Sequence, residues 1–198
     1  MELHYPVLVV IVPLLAAPLV VVFGNGALGW WLAFLTSCAS VFISVSMLHQ
    51  VMTSGLSISY ELGNWAAPWG IEYRVDQLNA LVLALVSGIS AVVLPFAWRT
   101  ATRNVAFDRL YLFYACWLLC LSGLLGITVT GDAFNVFVFL EISSLSTYTL
   151  VSLAQRRGAQ LAAFRYLVMG TVGATFILIG IGLLYMMTGT LNMDDLSH

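Results

Sequence analysis

Six long apolar runs, separated by short polar breaks, leave this chain few ways to fold. They fall at about 6–23, 28–49, 78–98, 110–129, 133–154 and 163–188. A helix needs about 20 mostly apolar residues to cross a bilayer. The runs are continuous rather than alternating, so membrane helices fit and the strands of a β-barrel do not. Only 8% of the 198 residues are charged and 61% are hydrophobic, against roughly a quarter charged in soluble domains. The expectation is an all-α integral membrane protein, one membrane domain over residues 1–198. The opening stretch MELHYPVLVVIVPLL has no basic segment before its apolar run, so it reads as a retained helix rather than a cleaved leader.

The arginines orient the spans. All seven basic residues are Arg, and there is no Lys. Arg99, Arg103 and Arg109 lie between the third and fourth runs; Arg156 and Arg157 lie between the fifth and sixth, with Arg165 just inside the sixth. With six alternating spans these loops share a side, and the positive-inside rule makes that side cytoplasmic. Arg74 alone falls elsewhere. Both termini, the 51–77 segment, the TGD turn and the tail LNMDDLSH are then external, together with Glu2, Glu61, Glu72, Asp76, Asp132, Asp194 and Asp195. The expected location is the cell inner (plasma) membrane. Segment 51–77 holds two short alternating runs around a Gly/Pro/Trp-rich middle, which predicts a short hairpin on the membrane surface. Trp65, Trp69, Trp30 and Trp31 are expected to anchor at the interface. Pro13 and Pro18 are expected to bend the first span, and Gly170, Gly173 and Ala174 to give the sixth a face for close packing.

One residue breaks the apolar pattern. Glu141 sits inside FVFLEISSLSTYTL, the middle of the fifth run. A charged carboxylate at that depth costs several kcal/mol, so it is either protonated or paired with a cation. Either state lies near a balance that a proton or a moving partner tips, the basis for reading Glu141 as a proton-relay residue. At 100° per residue, Ser144, Tyr148, Ser152 and Gln155 fall within about 60° of Glu141, as do Phe134 and Phe137 toward the other end. Ser144, Tyr148 and Ser152 are therefore the pathway candidates. A structural ion pair with Arg165 is the competing reading. Glu141 lies roughly 20 Å above the cytoplasmic helix end and Arg165 roughly 4 Å deep, a gap of roughly 15 Å that one side chain does not bridge.

Other chemistry is thinly represented. Cys38, Cys116 and Cys120 sit in apolar runs without His companions, so a metal site is not expected and the cysteines read as small buried hydrophobes. His4, His49 and His198 lie near the external span ends, away from any intramembrane Ser, and no nucleophile-elbow, zinc-protease or phosphate-loop pattern occurs. The sequence shows no quinone, flavin or iron–sulfur ligand set, and no cofactor is expected. The net charge of −2 and the lack of a basic tract leave nucleic acid without a binding surface.

The stretch VTGDAFNVFVFLEISSLSTYTLVSL resembles the fifth-helix segment of the antiporter-like membrane subunits shared by Mrp-type multisubunit Na+/H+ antiporters and respiratory complex I, most closely the D-type subunit of the Mrp assemblies. GIEYRVDQLNALVLAL resembles the family's third-span opening, where a Val-Asp pair starts the helix; a Gly usually follows that Asp, and here it is Gln77. The resemblance implies a fold matching helices 1–6 of a fourteen-helix subunit, in which helices 4–8 and 9–13 form two inverted repeats. It implies that Glu141 pairs with a Lys on a seventh helix, with a further Lys on a broken eighth. It therefore implies a split or partial subunit whose lysine partner comes from another membrane subunit, handling protons with Na+ as the candidate cation. A redox-driven pump of the complex I or hydrogenase type is the alternative. A non-transporting scaffold of six packed helices is a third, from a different class.

Overall fold

The computed structural model describes residues 4–65 and 69–197, with the backbone alone at Asn64; Glu2 and His198 lie outside the described residues. Six helices carry the apolar runs: α1 (Tyr5–Phe23), α2 (Gly26–Ser54), α3 (Gln77–Asn104), α4 (Leu110–Val129), α5 (Ala133–Ser152) and α6 (Ala159–Thr188). All six are long and apolar enough to cross a membrane. Their bounds extend the expected ones at α2, α3 and α6, because helical hydrogen bonding continues into polar flanks that hydropathy alone excludes. α5 is the exception and stops at Ser152, so Gln155 falls in the following loop.

Polar residues at the breaks start and stop these rods. Asn25 Oδ1 accepts from the amides of Ala27 and Leu28 at the start of α2. Asp76 caps α3 through Asn79 N at 2.7 Å, and Asp132 caps α5 through Asn135 N at 2.7 Å. Each cap satisfies an otherwise unpaired amide, and the two carboxylates complement the positive helix end. α1 ends on Gly24 at φ +59°, a left-handed conformation that other residues adopt at a cost.

α4 is the hub. It packs against α1, α2, α3 and α5, whereas α6 leans chiefly on α5. Small residues permit this crowding. A methyl added at Gly126 would lie 2.3 Å from the Phe139 ring, and one at Gly123 would lie 2.7 Å from Ser143. α2 and α3 meet along a seam. Ala33, Ser37, Ser40, Ser44, Met47 and Val51 are buried at steps of four and three, facing Ala80, Leu83, Ser87, Ser90 and Leu94. That alternation is the coiled-coil spacing. Ser37 Oγ and Ser90 Oγ lie 3.1 Å apart across it, and the Trp117 indole of α4 donates to Ser90 Oγ at 3.0 Å. α1 remains helical through Pro13 and Pro18. Pro13 leaves the Val9 carbonyl without its helical donor. Ser122 of α4 donates to the adjacent Val10 carbonyl at 3.0 Å.

Backbone pairing ties the loops at each end. β1 (Ile58–Glu61) and β2 (Glu72–Val75) form an antiparallel hairpin with Ile58 opposite Val75. Tyr73 of β2 pairs with Thr130, and Asp132 pairs with Asn192 of the tail. Gly131 N donates to Glu72 O at 2.8 Å, and Met193 N to Gly131 O at 2.9 Å. The hairpin, the TGD turn and the tail thus form one strip. His4 Nδ1 lies 3.1 Å from Tyr60 Oη, which puts the start of α1 at this same end. At the other end Val105 pairs with Ala154, and Gln155 N donates to Asn104 O at 2.8 Å.

Trp30, near the start of α2, has partners within the bundle. It is half-buried, stacked on Phe34 and edge-on to Trp98, with its indole donating to Leu94 O at 3.2 Å. Trp31, Trp65 and Trp69 are exposed. A substitution pair tests the hub: Gly126→Ala is expected to cost about 1–3 kcal/mol by overpacking against Phe139, while Gly88→Ala, with nothing within 4 Å of the added methyl, leaves stability unchanged or slightly raised. Thermal unfolding in detergent reads both.

Candidate functional site

Glu141 is set by the face α5 gives to α4. Phe139, Ser143 and Ser146 are buried, and the first two pack against Gly123 and Gly126 of α4. Glu141 lies about 140–160° around the helix from all three. It therefore points away from the hub and is half-buried. Among the described residues its carboxylate makes no ion pair and no hydrogen bond.

Tyr148, about 20° from Glu141 on the wheel, is buried against α6. Its ring meets Tyr166 edge-on with centroids 4.6 Å apart. Gly170 makes room for its hydroxyl: a methyl there would fall 1.7 Å from Tyr148 Oη. Ala163 and Ala174 of α6 are also buried. Gly173, expected on the same face, has nothing within 4 Å, because it lies about 60° off the line through Gly170. Ser144 is half-buried and its hydroxyl has no partner among the described residues. Ser152 Oγ donates to Thr149 O at 2.7 Å. Ser152 also lines a cavity of about 310 Å³ with Arg109, Gln155 and Gln160 at the arginine end. The sequence thus placed Glu141, Ser144, Tyr148 and Ser152 on one face of one helix. It held no sign of Tyr166 beyond a second aromatic near the start of the next span.

Arg165 does not reach Glu141. Because α6 begins at Ala159, Arg165 is six residues along it, so the axial gap to Glu141 shrinks to roughly 8 Å at 1.5 Å per residue. Direction decides the matter. Arg165 lies about 140–180° around α6 from Ala163, Gly170 and Ala174, and it is exposed on the opposite side.

A second polar cleft, of about 360 Å³, opens at the hairpin end between Glu72, Arg74, Asp76, Asn192 and Asp194. Arg74, the one arginine away from the basic end, forms an ion pair with Asp194 at 2.5 Å. Both side chains are substantially exposed, so the pair contributes at most about 1 kcal/mol. Glu72 accepts from Ser59 Oγ at 2.6 Å and Asn192 Nδ2 at 3.2 Å. Burial of Tyr73 beneath this strip pushes its phenol above the usual range, opposed by the Asn135 side chain.

The α5–α6 contact yields a paired expectation. Gly170→Ala should displace Tyr148 and cost about 1–3 kcal/mol; Gly173→Ala should stay within about 0.5 kcal/mol. Thermal unfolding of the two variants in detergent checks both, and equal losses would contradict the packing described.

Known proteins share the sequence pattern and the fold of this chain. Residues 130–198, which include α5 and α6, match the family described as NADH:quinone oxidoreductase/Mrp antiporter, TM. The whole chain is 38% identical to 39% of the N subunit of NADH-quinone oxidoreductase from Desulforudis audaxviator. Over 98% of its length it is 31% identical to 39% of the D subunit of the Na(+)/H(+) antiporter from Bacillus subtilis. A chain of the membrane-bound sulfane sulfur reductase, an archaeal respiratory membrane complex, superposes with a TM-score of 0.88 at 30% identity, over 96% of this chain and 39% of that one. The chain thus spans about two fifths of the length of the relatives it matches. Its residues 130–198 belong to the NADH:quinone oxidoreductase/Mrp antiporter family, and the chain as a whole is similar to the antiporter-like membrane subunits of Mrp-type antiporters and NADH:quinone oxidoreductases.

Proposed function

We propose that this chain is a membrane subunit of a multisubunit monovalent cation/proton antiporter, with Glu141 as its intramembrane proton relay. The observation that carries the reading is a carboxylate halfway along a membrane-length helix with no counter-charge among the described residues. A permanently charged, unpaired Glu at that depth is expensive. A Glu that gains and loses a proton as a cation approaches and leaves resolves the cost. The cation is a lysine supplied from outside these 198 residues, by another membrane subunit or by further chain. Ser144, Tyr148 and Ser152 line the approach from the arginine end, which faces the cytoplasm of a plasma-membrane protein by the positive-inside rule. Tyr148 is held by Gly170 at a fixed height on that face.

A redox-driven pump is the second reading. The 38% identity to the N subunit of NADH-quinone oxidoreductase favours it. The proton chemistry at Glu141 would be the same, and electron transfer in other subunits would replace the cation gradient as the driver. The assembled complex in proteoliposomes separates the two: a Na+ gradient drives proton flux in the first case, and NADH or quinol turnover in the second.

The role of Glu141 is tested by Glu141→Gln in that complex. Coupled proton flux is expected to be lost, while thermal stability is unchanged or raised, because a lone carboxylate leaves the membrane interior. Intact flux would remove the proposed role. Lost flux with a large drop in stability would point instead to a structural ion pair.

A further inference from the structure

The arginine end carries a concentration of positive charge that the proton chemistry at Glu141 does not use. Pairing of Val105 with Ala154, and of Gln155 N with Asn104 O, draws the α3–α4 and α5–α6 loops side by side. Arg103 and Arg109 flank one partner of this joint, and Arg156 and Arg157 follow directly on the other. All four are exposed. The only acid on these loops is Asp108, and its carboxylate lies 4.0 Å from its own neighbour Arg109. Arg103, Arg156 and Arg157 have no ion pair among the described residues. Backbone pairing thus concentrates like charges that repel one another. Between the loops lies the cavity of about 310 Å³, lined by Arg109, Gln155 and Gln160, which can donate hydrogen bonds, by Ser152, whose hydroxyl already donates to Thr149 O, and by the Asp108 carboxylate, whose charge is offset by the four arginines around it. Beside it stand exposed apolar side chains: Phe107 is 85% exposed, Leu161 54% and Phe164 61%.

We propose that this joint binds the phosphate headgroup of an anionic phospholipid. The arginines and the cavity donors receive the phosphate, and Phe107, Leu161 and Phe164 lie along the acyl chains. Three features together point to a lipid rather than a free anion: excess positive charge, a polar recess of headgroup size, and an apolar margin at the membrane boundary. Guanidinium forks match phosphate oxygens, and the boundary position puts headgroups at that height. The proposal does not depend on the role of Glu141.

The test is lipid retention by the purified protein, and by its assembled complex, in detergent with dioleoyl phosphatidylglycerol or dioleoyl phosphatidylcholine. Native mass spectrometry and thermal unfolding are the readouts. Phosphatidylglycerol is expected to be retained and to raise the melting temperature, whereas phosphatidylcholine is not. The double variant Arg156→Gln/Arg157→Gln should weaken phosphatidylglycerol retention about tenfold with unchanged circular dichroism. The Lys/Lys version should keep most of it, and Arg74→Gln at the opposite end should keep all of it. Equal retention of the two lipids, or retention unaffected by the double variant, would overturn the proposal. So would equal stabilisation by inorganic phosphate alone, which would assign a free-anion site. In the assembled complex, cross-linking of these arginines to an acidic subunit surface with no phosphatidylglycerol retained would overturn it in favour of a protein contact.

Discussion

The close approach of α4 and α5 at Gly123 and Gly126 is the contact on which the arrangement turns. With no Cβ at either position, the Phe139 ring and the Ser143 backbone sit directly against α4. That contact fixes the rotation of α5 about its axis. Once Phe139, Ser143 and Ser146 face the hub, the 100° step per residue sends Glu141 to the other side. The glutamate's isolation from α1 to α4 is therefore a consequence of glycine placement rather than of any interaction the glutamate makes. A bulkier residue at Gly126 would be felt first as lost packing, and then as a change in where Glu141 points.

The two ends of the bundle hold this rotation in register. Asp132 caps α5 while its neighbour Gly131 hydrogen-bonds both the hairpin and the tail. At the far end Gln155 is tied to Asn104. Helix axes, helix starts and helix faces are thus set by different chemistries: apolar length, carboxylate caps and small-residue contacts. A chain with so few charges places most of its acids where a helix begins or a loop is fastened. Glu141 stands apart from all of them.

Much of this was legible in the sequence. Apolar run length revealed the six spans, and counting them sorted the loops into two ends that the backbone pairing joins in the same way. The face shared by Glu141, Ser144, Tyr148 and Ser152 followed from helical period alone. Contacts between helices were not legible, because they depend on which helix turns toward which. Gly170 and Gly173 look alike in sequence, yet only Gly170 meets Tyr148. Arg165 looked too shallow to pair with Glu141; in the structure it is deep enough to come near but points the wrong way. The contacts of Trp30 with Trp98 and Leu94 were not legible either, because they depend on a residue 64 positions downstream. The buried serines of α2 and α3 recur at 3–4 spacing, yet that spacing alone does not say which helix they face.

The relation to the antiporter-like subunits rests on similarity over the full chain and on a shared fold. The most direct measurement of the central claim is infrared difference spectroscopy of the assembled complex across a pH titration, comparing wild type with Glu141→Gln. A protonated-carboxyl band that titrates reversibly and vanishes in the variant is the result required if position 141 exchanges a proton within the membrane. A carboxylate signal at that position that stays ionised at every pH would contradict it.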